Sequence, residues 1–243
     1  MKKAFTSILV AVILTLCAPY LLCTEAFAAT DRTDQYGIVP LSEQEAAAYA
    51  SEITFSAINN PVTTMPISCF DISSDGLIAV CFTSVSSNII CVYSEDFTYL
   101  YGFSLYSAGS VGVSWIKDEL NVYFVRSGIL VTVDEQANIT GISGFSDPVQ
   151  SNRFYQNEIL VTTRTFEGKQ YKLDNPGIQK LTNQDYARLS VQDSTGEVRV
   201  LYGDSAFPSE IVIVLLVSAV IMTVAIVLRI VLVKRKRAKA KAQ

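Results

Sequence analysis

Asp75-Gly76-Leu77-Ile78-Ala79-Val80, followed by Ile90-Cys91-Val92-Tyr93-Ser94-Glu95-Asp96 and then Leu100-Tyr101-Gly102-Phe103, has an echo further along the chain. The echo runs Asp118-Glu119-Leu120-Asn121-Val122-Tyr123, Leu130-Val131-Thr132-Val133-Asp134-Glu135 and Ile139-Thr140-Gly141-Ile142. The offset is 43 residues at the first segment and 39 at the last, so the second copy has the shorter loop. In both copies apolar residues alternate with a period near two between turn formers. An extended chain produces this pattern because its successive side chains point to opposite faces. On either side of these segments the same pattern predicts strands at 77–82, 89–93, 99–105, 111–115, 120–125, 129–133 and 138–142. A weaker set follows at 158–164, 169–173, 187–191 and 197–201. No helical crossovers separate them, so a parallel sheet is excluded and the fold class is all-β and antiparallel.

Ahead of the strands, a polar linker at 29–40 leads to an amphipathic helix expected over 41–60. Ser42 is placed to cap it, with Glu45 in the reciprocal capping-box position. Ala46, Tyr49, Ala50, Ile53 and Ala57 share one face at helical spacing, and Asn59-Asn60-Pro61 ends the run. That face either docks on the β-rich region or receives a partner.

A unit of about 40 residues with several strands has the period of a propeller blade. On the segments quoted above, the chain resembles β-propeller repeats of the WD-repeat and YWTD-like kinds. Val92-Tyr93-Ser94-Glu95-Asp96 stands where such blades carry a hydrophobic-Tyr-acidic-acidic turn, and Val133-Asp134-Glu135 keeps part of it. The resemblance covers 69–142 well and 143–202 loosely, without the Gly-His and Trp-Asp landmarks. It implies a propeller-like or stacked antiparallel β-sheet ectodomain over 69–204. About a dozen strands make three blades, whereas closed propellers use at least four. Either a degenerate fourth blade completes the ring, or the sheets stay open and expose edges that invite another chain.

The ends of the chain point to the cell envelope. Lys2 and Lys3, an apolar run over 8–16 and the small residues of Ala26-Phe27-Ala28 form a bacterial-type signal peptide over 1–28. Residues 211–228 carry no charge, Pro or Gly, and apolar character resumes at 230–233. At 1.5 Å per residue, 211–233 would extend about 34 Å, enough to cross hydrocarbon about 30 Å thick. This predicts one C-terminal transmembrane helix over 210–233. The lipid bilayer is then a partner through 211–233, and the localisation is single-pass in the cell membrane. Arg229 either snorkels to the headgroups or serves a function within the span. Lys234, Arg235, Lys236 and Arg237, in a basic tail over 234–243, place the C-terminus in the cytoplasm.

The formal net charge of −4 averages unlike regions, since 29–208 holds 21 acidic against 10 basic residues. So acidic a surface argues against nucleic acid as a partner. There is no histidine, which removes the commonest general base and metal ligand. No catalytic, cofactor-binding or metal residues are assigned, and no cofactor is expected. Carboxylate pairs occur as Asp71 with Asp75, Glu95 with Asp96, Asp118 with Glu119, and Asp134 with Glu135. All but Asp71 sit in hairpin turns, where turn formation and solubility explain them. Asp193-Ser194-Thr195-Gly196-Glu197 reads as a tight turn. Cys81 and Cys91 lie on strands joined by a short loop, so they form either a cross-strand disulfide or two buried small hydrophobes. Tyr99, Tyr101 and Phe103, alternating on one strand face, and Trp115 are either core or a recognition surface. The function these features suggest is a non-enzymatic, membrane-anchored binding or scaffolding protein in an envelope complex. Its alternatives are a carboxylate-dependent hydrolase of envelope polymers and a self-associating structural subunit.

Overall fold

The computed structural model describes residues 32–84, 87–175 and 185–203, with Ser218 and Met222 as isolated positions. A short helix α1 (Arg32–Gln35), strand β1 (Ile38–Pro40), helix α2 (Glu43–Glu52) and strand β2 (Phe55–Ile58) come first. Three four-strand meanders follow. The first is β3 (Ile67–Ile72), β4 (Ile78–Thr83), β5 (Asn88–Tyr93) and β6 (Tyr99–Leu105). The second is β7 (Val111–Ile116), β8 (Glu119–Phe124), β9 (Ile129–Val133) and β10 (Ile139–Phe145). Helix α3 (Pro148–Phe154) then runs into a π-helical turn, Tyr155–Ile159. The third meander is β11 (Thr163–Phe166), β12 (Lys169–Asp174), β13 (Arg188–Gln192) and β14 (Val198–Tyr202).

Among the described residues these strands form three open antiparallel sheets, ordered β2-β6-β5-β4-β3, β1-β10-β9-β8-β7 and β11-β12-β13-β14. The first sheet lies between the other two. Cys69, Ala79, Cys81, Ile90, Val92 and Phe103 pack with the second sheet. Ile67, Phe70, Ile78, Val80, Phe82 and Cys91 pack with the third. Burial on both faces explains why β4 reads as the unbroken apolar run Ile78-Ala79-Val80-Cys81-Phe82.

One hairpin turn recurs. Ser73, Ser94, Asp134 and Asp193 each pair their backbone N–H with the carbonyl four residues on, and the residue before that one adopts positive φ. The left-handed positions are Gly76, Phe97, Ala137 and Gly196. The Asp134 and Asp193 carboxylates accept the N–H groups two and four residues on, closing the turn from within. A Ser or Asp at the first position therefore sets the hairpins that give the repeat its period.

Several expectations are corrected. None of the sheets closes, and the three do not join into a ring, so the propeller architecture implied by the resemblance is overturned. Three meanders are too few to surround an axis, and they pack as layers. The capping box of Ser42 and Glu45 forms, but α2 ends at Glu52 rather than near residue 60. Ile53, β-branched, is extended at φ −102°, and Phe55–Ile58 joins β6 as a strand. The strand expected over 158–164 is replaced by the π turn and β11, because Asp147 caps α3 through the N–H groups of Val149 and Gln150, with Pro148 in the first turn.

Among the described residues no helix is long and apolar enough to cross a membrane. The single-span architecture, and with it the bilayer as partner, the single-pass localisation and the membrane-anchored function built on it, therefore has no support among the described residues. The signal peptide over 1–28 lies outside the described residues. So do Arg229, Lys234, Arg235, Lys236 and Arg237 and, apart from Ser218 and Met222, the segment 210–233.

Candidate functional site: a buried charge network where the sheets meet

β3, β7 and β11, the first strands of the three meanders, converge on Asp71, whose side chain is wholly buried. Asp71 Oδ2 accepts hydrogen bonds from Arg32 Nη1 at 2.5 Å, Ser114 Oγ at 3.1 Å and the Trp115 backbone N–H at 2.8 Å. Its Oδ1 stands 3.0 Å from Arg164 Nε, an ion pair without hydrogen-bond alignment. Glu158, delivered by the π turn, accepts the Tyr36 hydroxyl on Oε1 at 2.8 Å. Its Oε2 lies 3.3 Å from both Arg32 Nε and Arg164 Nη1. Arg164 Nη2 also donates to the Glu158 carbonyl at 2.6 Å.

Two carboxylates and two guanidinium groups thus alternate, and all four carboxylate oxygens are engaged. Burial works against the Arg32 charge, but the attraction of Asp71, its hydrogen bond and the charge of Glu158 outweigh it and raise the pKa. Burial, the hydrogen bond to Glu158 and the Glu158 charge push the Tyr36 phenol up to about 12. Removing one member of such a set leaves an uncompensated buried charge, at a cost of about 3–5 kcal/mol. The network spans elements far apart in sequence, so its chemistry is that of a clamp holding three sheets.

A second feature continues it. β7 is an edge strand of the second sheet, and Val113 and Trp115 are alternate residues along it. Their N–H groups are met by side chains of β3: Cys69 Sγ accepts from Val113 at 3.3 Å, and Asp71 accepts from Trp115. Side chains two residues apart on one strand therefore satisfy an edge that would otherwise need another strand.

The residues singled out in the sequence are dispersed. Phe103 and Trp115 are buried in the core between the first and second sheets. Tyr101 packs beside them, half-buried. Tyr99 belongs to the opposite face, because the β5–β6 register slips between Val92 and Tyr93 and a bulge at Leu100 breaks the alternation. Tyr99 donates to the Ile58 carbonyl at 2.6 Å. All three described cysteines are free thiols, so the Cys81–Cys91 disulfide is not formed. Cys81 stands opposite Ile90 and Cys91 opposite Val80, so the two enter different cores.

Arg32, Glu158 and Arg164 went unmarked in the sequence. A signal existed for Asp71, a lone charge in the apolar run Cys69-Phe70-Asp71-Ile72. For Arg32, inside a polar linker, there was none. Among the described residues no three His, Cys, Asp or Glu side chains gather into a metal-ligand set. Two shallow depressions flank the third sheet, away from the network. One, of about 190 Å³, includes Lys172, Asp174 and Arg188; the other, of about 280 Å³, includes Lys169, Asp193 and Arg199. Both are smaller than the roughly 300–1,000 Å³ of ordinary ligand pockets. Comparison of the chain with protein-family models, with curated proteins and with solved structures gives no match in any of the three.

Proposed function

We propose that the protein works without catalysis, as an acceptor for an extended polypeptide segment that adds as a strand beside β14. The difference in how the three sheets end carries this proposal. β6 and β10, the last strands of their meanders, are each covered by a fifth antiparallel strand brought from the N-terminal side, β2 and β1 respectively. β14 is the equivalent strand of the third sheet, and among the described residues nothing pairs with its far side.

An uncovered edge presents unpaired N–H and C=O groups, a template for another strand. β14 reads Val198-Arg199-Val200-Leu201-Tyr202, with no Pro or Lys to discourage pairing and its one bulge at Leu201, beyond the regular stretch Val198–Val200, and Val198 is 59% exposed. A matching segment carries apolar residues at alternate positions, to cover Val198 and Val200, and an acidic residue opposite Arg199. The absence of histidine and the internal neutralisation of Asp71 and Glu158 support a non-catalytic role.

Amide hydrogen exchange on the full chain tests this. The N–H groups on the outer side of β14 are expected to exchange far faster than those of β13. Protection there in the isolated protein would show that the chain covers its own edge and would overturn the proposal. A photocrosslinker at Val198 is expected to label an extended segment of another polypeptide. Labelling confined to the protein's own residues counts against it.

A further inference from the structure

Cys69 on β3 and Cys81 on β4 are direct register partners. Opposed residues of an antiparallel pair hold their Cα atoms about 4.5–5.5 Å apart, inside the roughly 4.4–6.8 Å that a disulfide spans. Both side chains enter the core between the first and second sheets. Cys91 cannot compete, since it faces the other core. The pair is not symmetric: Cys69 Sγ accepts the Val113 N–H at 3.3 Å and the Ser68 hydroxyl at 4.0 Å. The neighbouring Cys81 thiol lowers the pKa of Cys69 against the effect of burial, with help from the Val113 N–H. The neighbouring Cys69, together with burial, raises that of Cys81.

We propose that Cys69 and Cys81 are a dithiol that closes into a cross-strand disulfide, with Cys69 as the attacking thiolate, Cys81 as the resolving thiol and Cys91 as a bystander. With a small-molecule disulfide such as oxidised glutathione as the oxidant, the Cys69 thiolate attacks one sulfur. A Cys69–glutathione bond forms and one glutathione thiolate leaves. Cys81 then loses its proton and attacks Cys69 Sγ, closing the Cys69–Cys81 bond and releasing the second glutathione thiolate. Two protein thiols are oxidised, one glutathione disulfide is reduced, and the two protons end on the two released glutathione molecules. Both cysteines are at most 2% exposed, so glutathione reaches Cys69 only when this core opens. The bond fixes β3 to β4 two residues from Asp71 and so braces the strand that holds the centre of the charge network.

The full chain, unfolded under reducing conditions and refolded in a glutathione buffer, is alkylated, digested and mapped by mass spectrometry. The expected product links the Cys69 and Cys81 peptides, two hydrogens lighter than the reduced pair, with Cys91 alkylated. Oxidation is expected to raise the melting temperature of the wild type and of Cys91→Ser by roughly 5–10 °C. In Cys81→Ser no rise is expected, and glutathione is retained on Cys69. A link involving Cys91, or Cys69 and Cys81 both alkylated after refolding, overturns the proposal. The wild-type map alone decides between these outcomes if a variant does not fold. Glutathione retained on Cys81 in Cys69→Ser, but not on Cys69 in Cys81→Ser, overturns the assigned direction of attack.

Discussion

In β4, at the centre of the first sheet, five consecutive side chains from Ile78 to Phe82 are buried, whereas in β12 of the third sheet burial alternates around Tyr171 and Leu173 with Gln170 and Lys172 exposed. Both are second strands of four-strand meanders. What separates them is their neighbours: the first sheet has a layer on each face, and the third has one face in water. Position in the layer order, more than strand propensity, therefore decides how much a substitution disturbs. The first sheet also carries Asp71, on which all three layers depend.

The largest test of that contrast sets Asp71→Ala against Asp174→Ala. Losing Asp71 strands Arg32 and Arg164, and urea denaturation is expected to show a loss of about 3–5 kcal/mol. Asp174 pairs with Arg188 at 2.6 Å on the outer face of the third sheet, where about 1 kcal/mol or less is expected. Equal losses would break the comparison.

Glycines sharpen it next. A Cβ on Gly112 in β7 would come within 2.3 Å of Ile159 Cγ2, so Gly112→Ala is expected to cost about 1–3 kcal/mol by overpacking. Part of that cost is expected to be relieved in the double variant with Ile159→Ala, which a double-mutant cycle measures. At Gly168, in the turn before β12, a Cβ meets nothing within 4 Å but φ is +75°. The cost of Gly168→Ala is then conformational alone, about 1–2 kcal/mol, and indifferent to Ile159.

A smaller effect is expected in alkali. The Tyr36 phenol is pushed up to about 12 by burial and by its bond to Glu158. A phenol raised on folding contributes stability that is complete below its unfolded value near 10 and is lost as pH rises through its folded value. Denaturation midpoints are expected to hold to about pH 10 and fall between pH 10 and 12, with Tyr36→Phe flattening the fall. Tyr202, on the third sheet, donates to the Met65 carbonyl at 2.7 Å and is pushed up to about 12 by burial. Tyr202→Phe is expected to flatten the same interval, and a response to Tyr36→Phe alone would assign the alkaline fall to the network.

The smallest expected effect is a gain. Ala137 sits at φ 67° in the recurring turn, and Ala137→Gly is expected to add about 0.5–1 kcal/mol. Phe97, its counterpart, stacks on Tyr93 with centroids 4.1 Å apart, so Phe97→Gly is expected to gain nothing.

The strands of the first two meanders were legible because alternation and turn chemistry are local properties, and 99–105 and 129–133 appear with the bounds expected. The capping box at Ser42 was legible for the same reason. Sheet closure was not, since a period of 40 residues states the size of a unit and not how units pack. The strand Phe55–Ile58 was hidden because Ala57 also fitted the helical face that began at Ala46. Of the charge network only Asp71 could be marked, for the partners of a buried charge are fixed by tertiary packing: Arg32 and Arg164 lie 39 and 93 residues away along the chain.

The covering of β10 by β1 has a consequence in time. Ile38 stands opposite Phe145, so the strand that finishes the second sheet is synthesised about 100 residues before the surface that receives it. At roughly 5–20 residues per second, translation leaves it waiting for about 5–20 s. Arg32 and Tyr36 wait too, for Glu158, and Asp71 waits for Arg164. The clamp therefore closes late, and a nascent chain stalled before residue 158 has Arg32, Asp71 and Ser114 but lacks Glu158 and Arg164, the half of the network that ties in the third sheet.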